Sequence, residues 1–583
     1  MRGLAIVCLA VVIGAGCDTP AAPPESNAAG FELDLPDGWK TASRTILPDN
    51  LLRDVSRLAS DEFEGRLPGS NGDRLARRYL IDRLAEMGYE PFFDGGRWEQ
   101  PLDIVGLSSA MPEQWIFHGP EGNSVSYAFA DEYMGASGVQ QPHVSITDAE
   151  VVFVGYGIQA PEEGWDDFKG VDLRGKVLLM LNDDPDWDPE IFAGERKLYY
   201  GRWTYKYESA ARQGAAAAII IHTTPSAGYP WQVVRSSWMG EQFELPAGEE
   251  PRNQLNAWLT EDASRRLVAL SGHDLDALVE SARSRDFRPV PLNITTSIEF
   301  SNEVRSTETA NVAGILRGSD PALAEQAVVL SAHHDHFGIG EPDASGDVIY
   351  NGALDNGVAM SQALAVAGAF TRLPQRPRRS IVVLFPAAEE QGILGSRYFV
   401  HSGAIHPGLI AANINFELGN VWGRTRDVMV YGLGKSGLDE WLAVAARSQD
   451  RVITPEQDVR AGWFYRSDQI SFARVGVPAI WFKSGVDFVG REPGWGEARY
   501  AEWIANDYHQ PSDEVRDSWV LDGLAEDAQL AFMLAAAVAT ADNPPTWNPG
   551  DEFEDERQQA LEDLGTRAGG PAIGEAGPAS PLP

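Results

Sequence analysis

Acidic and imidazole side chains directly follow apolar, strand-like runs in the second half of the chain, and this pattern constrains the fold most. The runs are AVVLSAHH, SIVVLFPAA and NINFELG. The polar residues at or just after their ends are His333, Asp335, Glu389, Glu390 and Glu417. Open α/β sheets bind ligands at the carboxyl ends of their strands. Three such endings in succession therefore predict one shared site.

Two other segments carry residues that fit the same site. Asp355 lies in NGALDNGVAM, where a loop gives way to a helix, and His509 lies in DYHQPSDEV. Helix N-capping is the alternative interpretation of Asp355, because Asp is a common N-cap residue. Two imidazoles, several carboxylates and no nearby cysteine suit zinc or a similar divalent metal, with two ions sharing a carboxylate.

The SAHHDH and EE motifs indicate roles for individual side chains. On an extended strand, His333 and Asp335 point to one face, so Asp335 can orient the His333 ring, while His334 and His336 point away as bystanders. Adjacent glutamates after an apolar strand repel each other and lose solvation. A metal relieves this cost if one carboxylate coordinates it and the other handles a proton.

Strands alternate with helices after residue 311, which predicts an α/β fold with a mainly parallel mixed sheet sandwiched by helices. Between residues 131 and 290, strands such as EVVFVGYGI and KVLLMLN predict a β-rich inserted domain. The predicted organisation is an export signal at 1–17, a flexible tether at 18–47, a catalytic domain at 48–130 and 291–543 with the insert at 131–290, and a disordered acidic, Gly/Pro-rich tail at 544–583.

The first segment predicts export. An apolar run, GLAIVCLAVVIGAG, precedes Cys17, which resembles a bacterial lipoprotein signal with a lipid anchor at Cys17; an ordinary cleaved signal peptide is the alternative. The expected location is the cell envelope, periplasmic or outer surface, or the medium. Cys8 is the only other cysteine, so the folded body has no disulfide framework.

Overall charge argues against two classes of partner. The 583 residues carry a formal net charge of −38 at pH 7. Such a surface repels nucleic acid and anionic lipid. We therefore expect no nucleic-acid partner, and no membrane contact beyond the anchor.

Together these motifs resemble the M28 family of zinc aminopeptidases, specifically bacterial members with an inserted protease-associated (PA) domain. The likeness spans residues 48–541 and includes LASDEFEGRLPGSNG, SAHHDHFG, NGALDNG, AAEEQGILGS and YHQPSDEV. The resemblance implies a zinc-peptidase type fold with a PA-like insert. It also implies a zinc-dependent exopeptidase that hydrolyses N-terminal bonds of peptide substrates.

The resemblance assigns a ligand set for two zinc ions. One ion would be held by His333 and Glu417, and the other by Glu390 and His509. Asp355 would bridge the two. The family usually has Asp where this chain has Glu417, so one ligand is longer by a methylene.

The same resemblance assigns three further roles. Glu389 would be the general base for a water activated by the two ions. Asp335 would support the neighbouring histidine ligand, and Tyr508 would support the tetrahedral intermediate. The family often has His where this chain has Gln469, and this glutamine is not counted as a ligand.

Other activities remain open at the sequence level. An M28-like carboxypeptidase or dipeptidase uses a similar site, and so does a glutaminyl cyclase. The intact set of five ligands disfavours the cyclase, whose chemistry needs one metal. A non-catalytic, receptor-like scaffold is disfavoured because ligands and base are all present. The sequence does not predict the oligomeric state.

Overall fold

The computed structural model describes residues 32–566 apart from residues 341 and 344. The predicted export signal, with its anchor at Cys17, and residues 567–583 lie outside the described residues. Export and lipid anchoring therefore stay predictions.

The strands fall into two groups that share one long strand. In chain order they are β1 Glu90–Pro91, β2 Glu99–Ala110, β3 Gln114–His118, β4 Ser124–Ala128, β5 Tyr133–Ser137, β6 His143–Phe153, β7 Gln159–Ala160, β8 Trp165–Asp166, β9 Val177–Leu181, β10 Ala217–His222, β11 Glu241–Glu244, β12 Leu255–Thr260, β13 Val290–Leu316, β14 Ala327–Ser331, β15 Gly338–Ile339, β16 Ile349–Tyr350, β17 Ser380–Phe385, β18 Ile410–Asn415, β19 Asp427–Tyr431, β20 Val452–Pro455 and β21 Ala479–Ser484.

The helices cover these strands. They are α1 Trp39–Ser43, α2 Pro48–Leu58, α3 Asn71–Glu86, α4 Trp203–Arg212, α5 Thr224–Ala227, α6 Trp231–Trp238, α7 Glu261–Leu270, α8 Leu275–Ala282, α9 Val358–Phe370, α10 Leu394–His401, α11 Leu438–Arg447, α12 Gln469–Ala473, α13 Trp495–Asn506, α14 Asp522–Thr540 and α15 Glu554–Thr566. Short 3-10 turns lie at Asp61–Arg66, Pro120–Gly122, Tyr199–Gly201, Pro407–Leu409, Val459–Ala461 and Trp463–Tyr465, and a π turn at Ala353–Gly357. Within the described residues, no helix has both the length and the apolar character needed to cross a bilayer.

A mixed sheet with a parallel centre forms the middle of the predicted catalytic domain, called the catalytic unit below. β17, β14, β18 and β21 run parallel as neighbours, and antiparallel β13 and β19 flank them. β14 shows that both faces are buried, because Val328 packs in one apolar core and Val329 in another. The first core contains α2, α9 and α14, and the second contains α10 and α12. The predicted fold class is confirmed.

The insert is a second β-rich unit with its own core. β6, β9, β10 and β12 run parallel in that order, β5 is antiparallel to β12, and 27-residue β13 continues from this unit into the catalytic sheet. The predicted start at residue 131 is too late. Trp115, Phe117 and Tyr127 in β3 and β4 pack in the same core as Phe153. The identity of the insert as a PA-like domain stays a prediction.

Both predicted flexible ends are shorter than expected where the structure describes them. Residues 554–566 form α15, and Trp547 and Phe553 are buried against the catalytic unit. The Trp547 indole also donates to the Gly476 carbonyl at 3.1 Å. At the other end, residues 39–43 form α1, and Ile46, which follows this helix in the sequence, is buried. A few apolar anchors therefore fix segments whose overall composition resembles a linker.

Candidate metal centre

The loops that follow β14, β17 and β18 meet at one edge of the sheet. These strands are parallel neighbours, so their carboxyl ends lie side by side. The loops carry His333, Asp335, Glu389, Glu390 and Glu417. All five side chains are buried or nearly so. The sheet therefore brings together residues that are distant in the sequence.

Asp355 lies between two imidazoles. Its Oδ1 is 3.5 Å from His333 Nε2, and its Oδ2 is 3.3 Å from His509 Nε2. Each imidazole faces a second carboxylate, at 3.4 Å from Glu417 Oε2 for His333 and 3.4 Å from Glu390 Oε2 for His509. The arrangement is two imidazole–carboxylate pairs joined by one shared carboxylate.

The donor atoms of this centre fit divalent metal ions. Both ring nitrogens of His333, Nε2 of His509 and Oδ1 of Asp355 are buried without a hydrogen-bond partner. Such atoms are costly to bury unless something binds them. Ligand atoms of His333, Asp355 and Glu390 lie within 4.8 Å of one another. The imidazole–carboxylate separations of 3.3–3.5 Å are those expected for atoms that share a tetrahedral ion at about 2.0–2.2 Å from each ligand.

Glu389 lies beside this centre. Its Oε2 is 3.9 Å from His333 Nε2, and its side chain is 10% exposed. Burial raises the pKa of the Glu389 carboxyl well above its usual range, an effect that the charge of His333 opposes. A carboxylate with a raised pKa is suited to accepting and returning a proton near neutral pH.

Asp335 fixes the glutamate pair. Its carboxylate accepts the backbone N–H of Glu389 at 3.0 Å and of Glu390 at 3.2 Å. His333 Nδ1 is 3.8 Å from Asp335 Oδ1, which is too long for a hydrogen bond. The structure therefore shows Asp335 holding the loop after β17, whereas its predicted support of His333 is a contact without a hydrogen bond.

The histidines predicted to be bystanders differ from each other. His336 Nδ1 lies 2.6 Å from Glu390 Oε1, so His336 contacts the site. His334 instead contacts Asp73 at 3.1 Å and the Phe385 carbonyl at 3.2 Å. The expected alternation fails because β14 ends at Ser331, before these residues. The prediction that His336 points away from the site is wrong.

Asp513 holds the turn that carries Asp355. Its side chain accepts the backbone N–H groups of Leu354 and Asp355 at 3.0 Å, and its carbonyl accepts that of Ala353 at 3.0 Å. Sequence reasoning missed this residue. Its signal was its place in HQPSDEV, four residues after His509.

Arg66 lies beneath two of the site loops. Its guanidinium is fully buried and donates to the carbonyls of His334 at 2.9 Å, Asn351 at 2.6 Å and Gly352 at 3.0 Å. It also donates to Leu58 at 2.9 Å. Burial lowers the pKa of Arg66 to about 10. The Glu64–Gly65–Arg66 turn thus supports the loops after β14 and before α9.

The loop before α12 supports Glu417. Ser467 Oγ donates to Glu417 Oε2 at 2.7 Å. Gln469 instead accepts from Asn415 at 2.8 Å and donates to the Phe464 carbonyl at 2.6 Å, so it braces the strand end. The neighbouring Asp468 is buried, which raises its pKa to about 7.

Tyr508 stacks on His509, with ring centroids 3.7 Å apart and planes 29° apart. Burial, with nearby carboxylates such as Asp355, raises the pKa of Tyr508 well above its usual range. The phenol therefore stays protonated and can donate a hydrogen bond into the site.

Comparisons with known sequences agree with these motifs. Residues 311–533, which contain all five candidate ligands, match the family model for peptidase family M28. The predicted resemblance to this family is therefore confirmed. A probable leucine aminopeptidase 2 of Aspergillus fumigatus is 24% identical over 270 residues, covering 44% of this chain and 49% of that protein. The chain thus matches about half the length of this curated relative.

Comparison with solved structures also matches two aminopeptidases. The aminopeptidase from Aneurinibacillus sp. strain AM-1 has a TM-score of 0.47 and 19% identity, covering 87% of this chain and 97% of that one. BSAP, a zinc aminopeptidase from Bacillus subtilis, has a TM-score of 0.39 and 18% identity, covering 87% and 96%.

Proposed function

With residues 311–533 matched to peptidase family M28, we propose that this chain is a zinc-dependent aminopeptidase that hydrolyses N-terminal peptide bonds. The observation that carries the proposal is the placement of Asp355 between His333 and His509, each of which faces a second carboxylate. Peptides are the substrate class.

Five side chains would hold two zinc ions. His333 and Glu417 form one pair, and His509 and Glu390 form the other. Asp355 directs Oδ1 to the first pair and Oδ2 to the second. When bound, the ions supply an activated water and polarise the scissile carbonyl. Ser467 and His336 orient Glu417 and Glu390 through hydrogen bonds to the oxygens of these ligands.

Glu389 is the proposed general base. It is buried beside His333, and its backbone is held by Asp335. From this position its carboxylate takes a proton from the attacking water and returns it to the nitrogen of the leaving amine. Tyr508, protonated and stacked on His509, donates to the oxygen of the tetrahedral intermediate.

Metal analysis combined with a substrate panel tests the proposal. We expect about two zinc equivalents per chain and cleavage of leucyl peptides with a free amine, but not of their N-acetylated forms. Cleavage of N-acetylated peptides from the carboxyl end would show a carboxypeptidase instead. A metal-replete protein that cyclises N-terminal glutamine and cleaves no peptide would show a glutaminyl cyclase.

A further inference from the structure

Lys483 lies at the carboxyl end of β21, on the edge of the sheet that carries the metal centre. Within this strand Trp481 and Lys483 share a face, and their cross-strand partners on β19 are Tyr431 and Met429. The opposite face of β21 packs into the apolar core through residues such as Phe482. The lysine therefore stands on the face away from that core.

This face is joined to Glu417, a proposed ligand. The Trp481 indole donates to the Glu417 carbonyl at 2.9 Å, and its ring stacks on Tyr431 with centroids 3.7 Å apart. Tyr500 of α13 reaches the carbonyl of Gly419 at 3.5 Å. The aromatic wall formed by Tyr431, Trp481 and Tyr500 thus flanks the Glu417 side of the centre.

The ammonium of Lys483 lies between two rings of this wall. Nζ is 4.4 Å from the Tyr500 ring centroid and 5.6 Å from that of Tyr431. The residue is only 4% exposed. Among residues 32–566, leaving out 341 and 344, no carboxylate forms an ion pair with it. The carboxylates whose charges act on it are Glu417 and Asp355 of the candidate centre and Asp527, which is paired with Arg451 at 2.8 Å.

Comparison with a second buried lysine, Lys435, shows that Lys483 lacks a carboxylate partner among the residues that the structure describes. Lys435 also lies over aromatic rings, among them Phe464 at 5.4 Å, but its Nζ contacts Asp551 at 3.2 Å and Glu552 at 2.5 Å. Burial lowers the pKa of Lys483 to about 8, whereas for Lys435 the carboxylates outweigh burial and raise it. A buried ammonium that lacks a paired carboxylate is costly unless hydrogen-bond acceptors or a ligand compensate its charge.

We propose that Lys483 binds a carboxylate of the substrate on the Glu417 side of the metal centre. The inference rests on the proposed function and narrows its substrate class. The carboxylate belongs either to an acidic side chain next to the scissile bond or to the free end of a short peptide. The tyrosine rings exclude water from the ion pair, which strengthens it.

Kinetics with paired substrates test the proposal. The acidic-side-chain arm compares glutamyl- and glutaminyl-4-nitroanilide, which differ by one charge. The terminal arm compares Leu-Gly with Leu-Gly amide. In one arm, the charged substrate should have a kcat/KM about 10- to 100-fold higher, the range of a charged hydrogen bond in a buried site. The preference should vanish in Lys483→Met and persist in Lys483→Arg.

Lys40→Met is the matched control, because Lys40 is an exposed lysine over the Trp39 ring at 5.4 Å. It should keep the preference. A wild type without charge preference in either arm would overturn the inference. The same holds if Lys483→Met lowers kcat/KM for all four substrates equally, since the lysine would then act only through Glu417.

A binding measurement separates this inference from the proposed function. If the zinc-loaded wild type cleaves none of the four substrates, the proposed function fails. Calorimetry with L-glutamate and L-glutamine then still decides the role of Lys483. Tighter binding of glutamate to the wild type, lost in Lys483→Met, supports the subsite; equal binding of both amino acids overturns it. Thermal melts of each variant verify folding.

Discussion

Replacing Glu389 by glutamine removes the proposed base and preserves the shape of the side chain. Glu389 lies 3.9 Å from His333 and outside the set of five ligands, so the variant should bind as much zinc as the wild type. Its backbone N–H still donates to Asp335, which keeps the loop in place. The variant therefore isolates proton transfer from metal binding.

The size of the effect follows from the role of a general base. Such a base contributes about 10²–10⁴ in rate, which is about 3–5 kcal/mol of transition-state stabilisation. We expect kcat of Glu389→Gln to be lower than that of the wild type by a factor within or above this range, with KM little changed. Because burial raises the pKa of this carboxyl, the neutral glutamine should not lower the thermal midpoint.

The assay is hydrolysis of leucyl-4-nitroanilide by protein whose zinc content is measured in the same sample. Glu390→Gln is the matched control, since this neighbouring residue faces His509 and should lose zinc as well as activity. A Glu389→Gln protein with full zinc and more than a tenth of wild-type kcat would refute the assignment of the base.

Three further variants test the support of the site and the pH dependence of stability. Arg66→Met leaves four backbone carbonyls without their donor, and each unsatisfied buried carbonyl costs about 1–3 kcal/mol, so the thermal midpoint should fall by many degrees. Arg74→Met is the exposed control, and an equal midpoint in the two variants would contradict the role of Arg66. Ser467→Ala removes the hydrogen bond to Glu417 and should weaken zinc binding about 10- to 100-fold in chelator competition; unchanged affinity would contradict the role of Ser467. Burial raises the pKa of Asp439 to about 7, above its unfolded value of about 4, so its proton stabilises the fold below pH 4 and this contribution is lost as pH rises to 7. In urea unfolding, the free energy of unfolding of Asp439→Asn should therefore rise relative to that of the wild type by up to about 4 kcal/mol from pH 4 to pH 8. A difference between the two proteins that does not change with pH would refute the raised pKa.

The position of the site could be predicted because local pattern and topology agree. Apolar runs such as IVVLF predict strands buried on both faces, and parallel strands place the residues after them on one edge. This logic brought His333 and Glu390 together from distant parts of the chain. His509 and Asp355 were found by their motifs, and the structure places both between the strand ends.

Other features could not be predicted because they depend on tertiary contacts. The contact of His336 with Glu390 follows from where β14 stops, and strand ends are the least certain part of a sequence pattern. Arg66 supports backbone carbonyls, which leave no trace in the sequence of its partners. Trp547 and Phe553 similarly fix a segment of linker-like composition through their buried rings.

Crystals of the zinc-loaded protein, measured at the zinc absorption edge, test the central claim most directly. The anomalous difference map should show two peaks per chain, one between His333 and Glu417 and one between His509 and Glu390. Both should lie about 2.0–2.2 Å from an oxygen of Asp355. A single peak, or peaks that leave Asp355 uncoordinated, would contradict the two-ion centre.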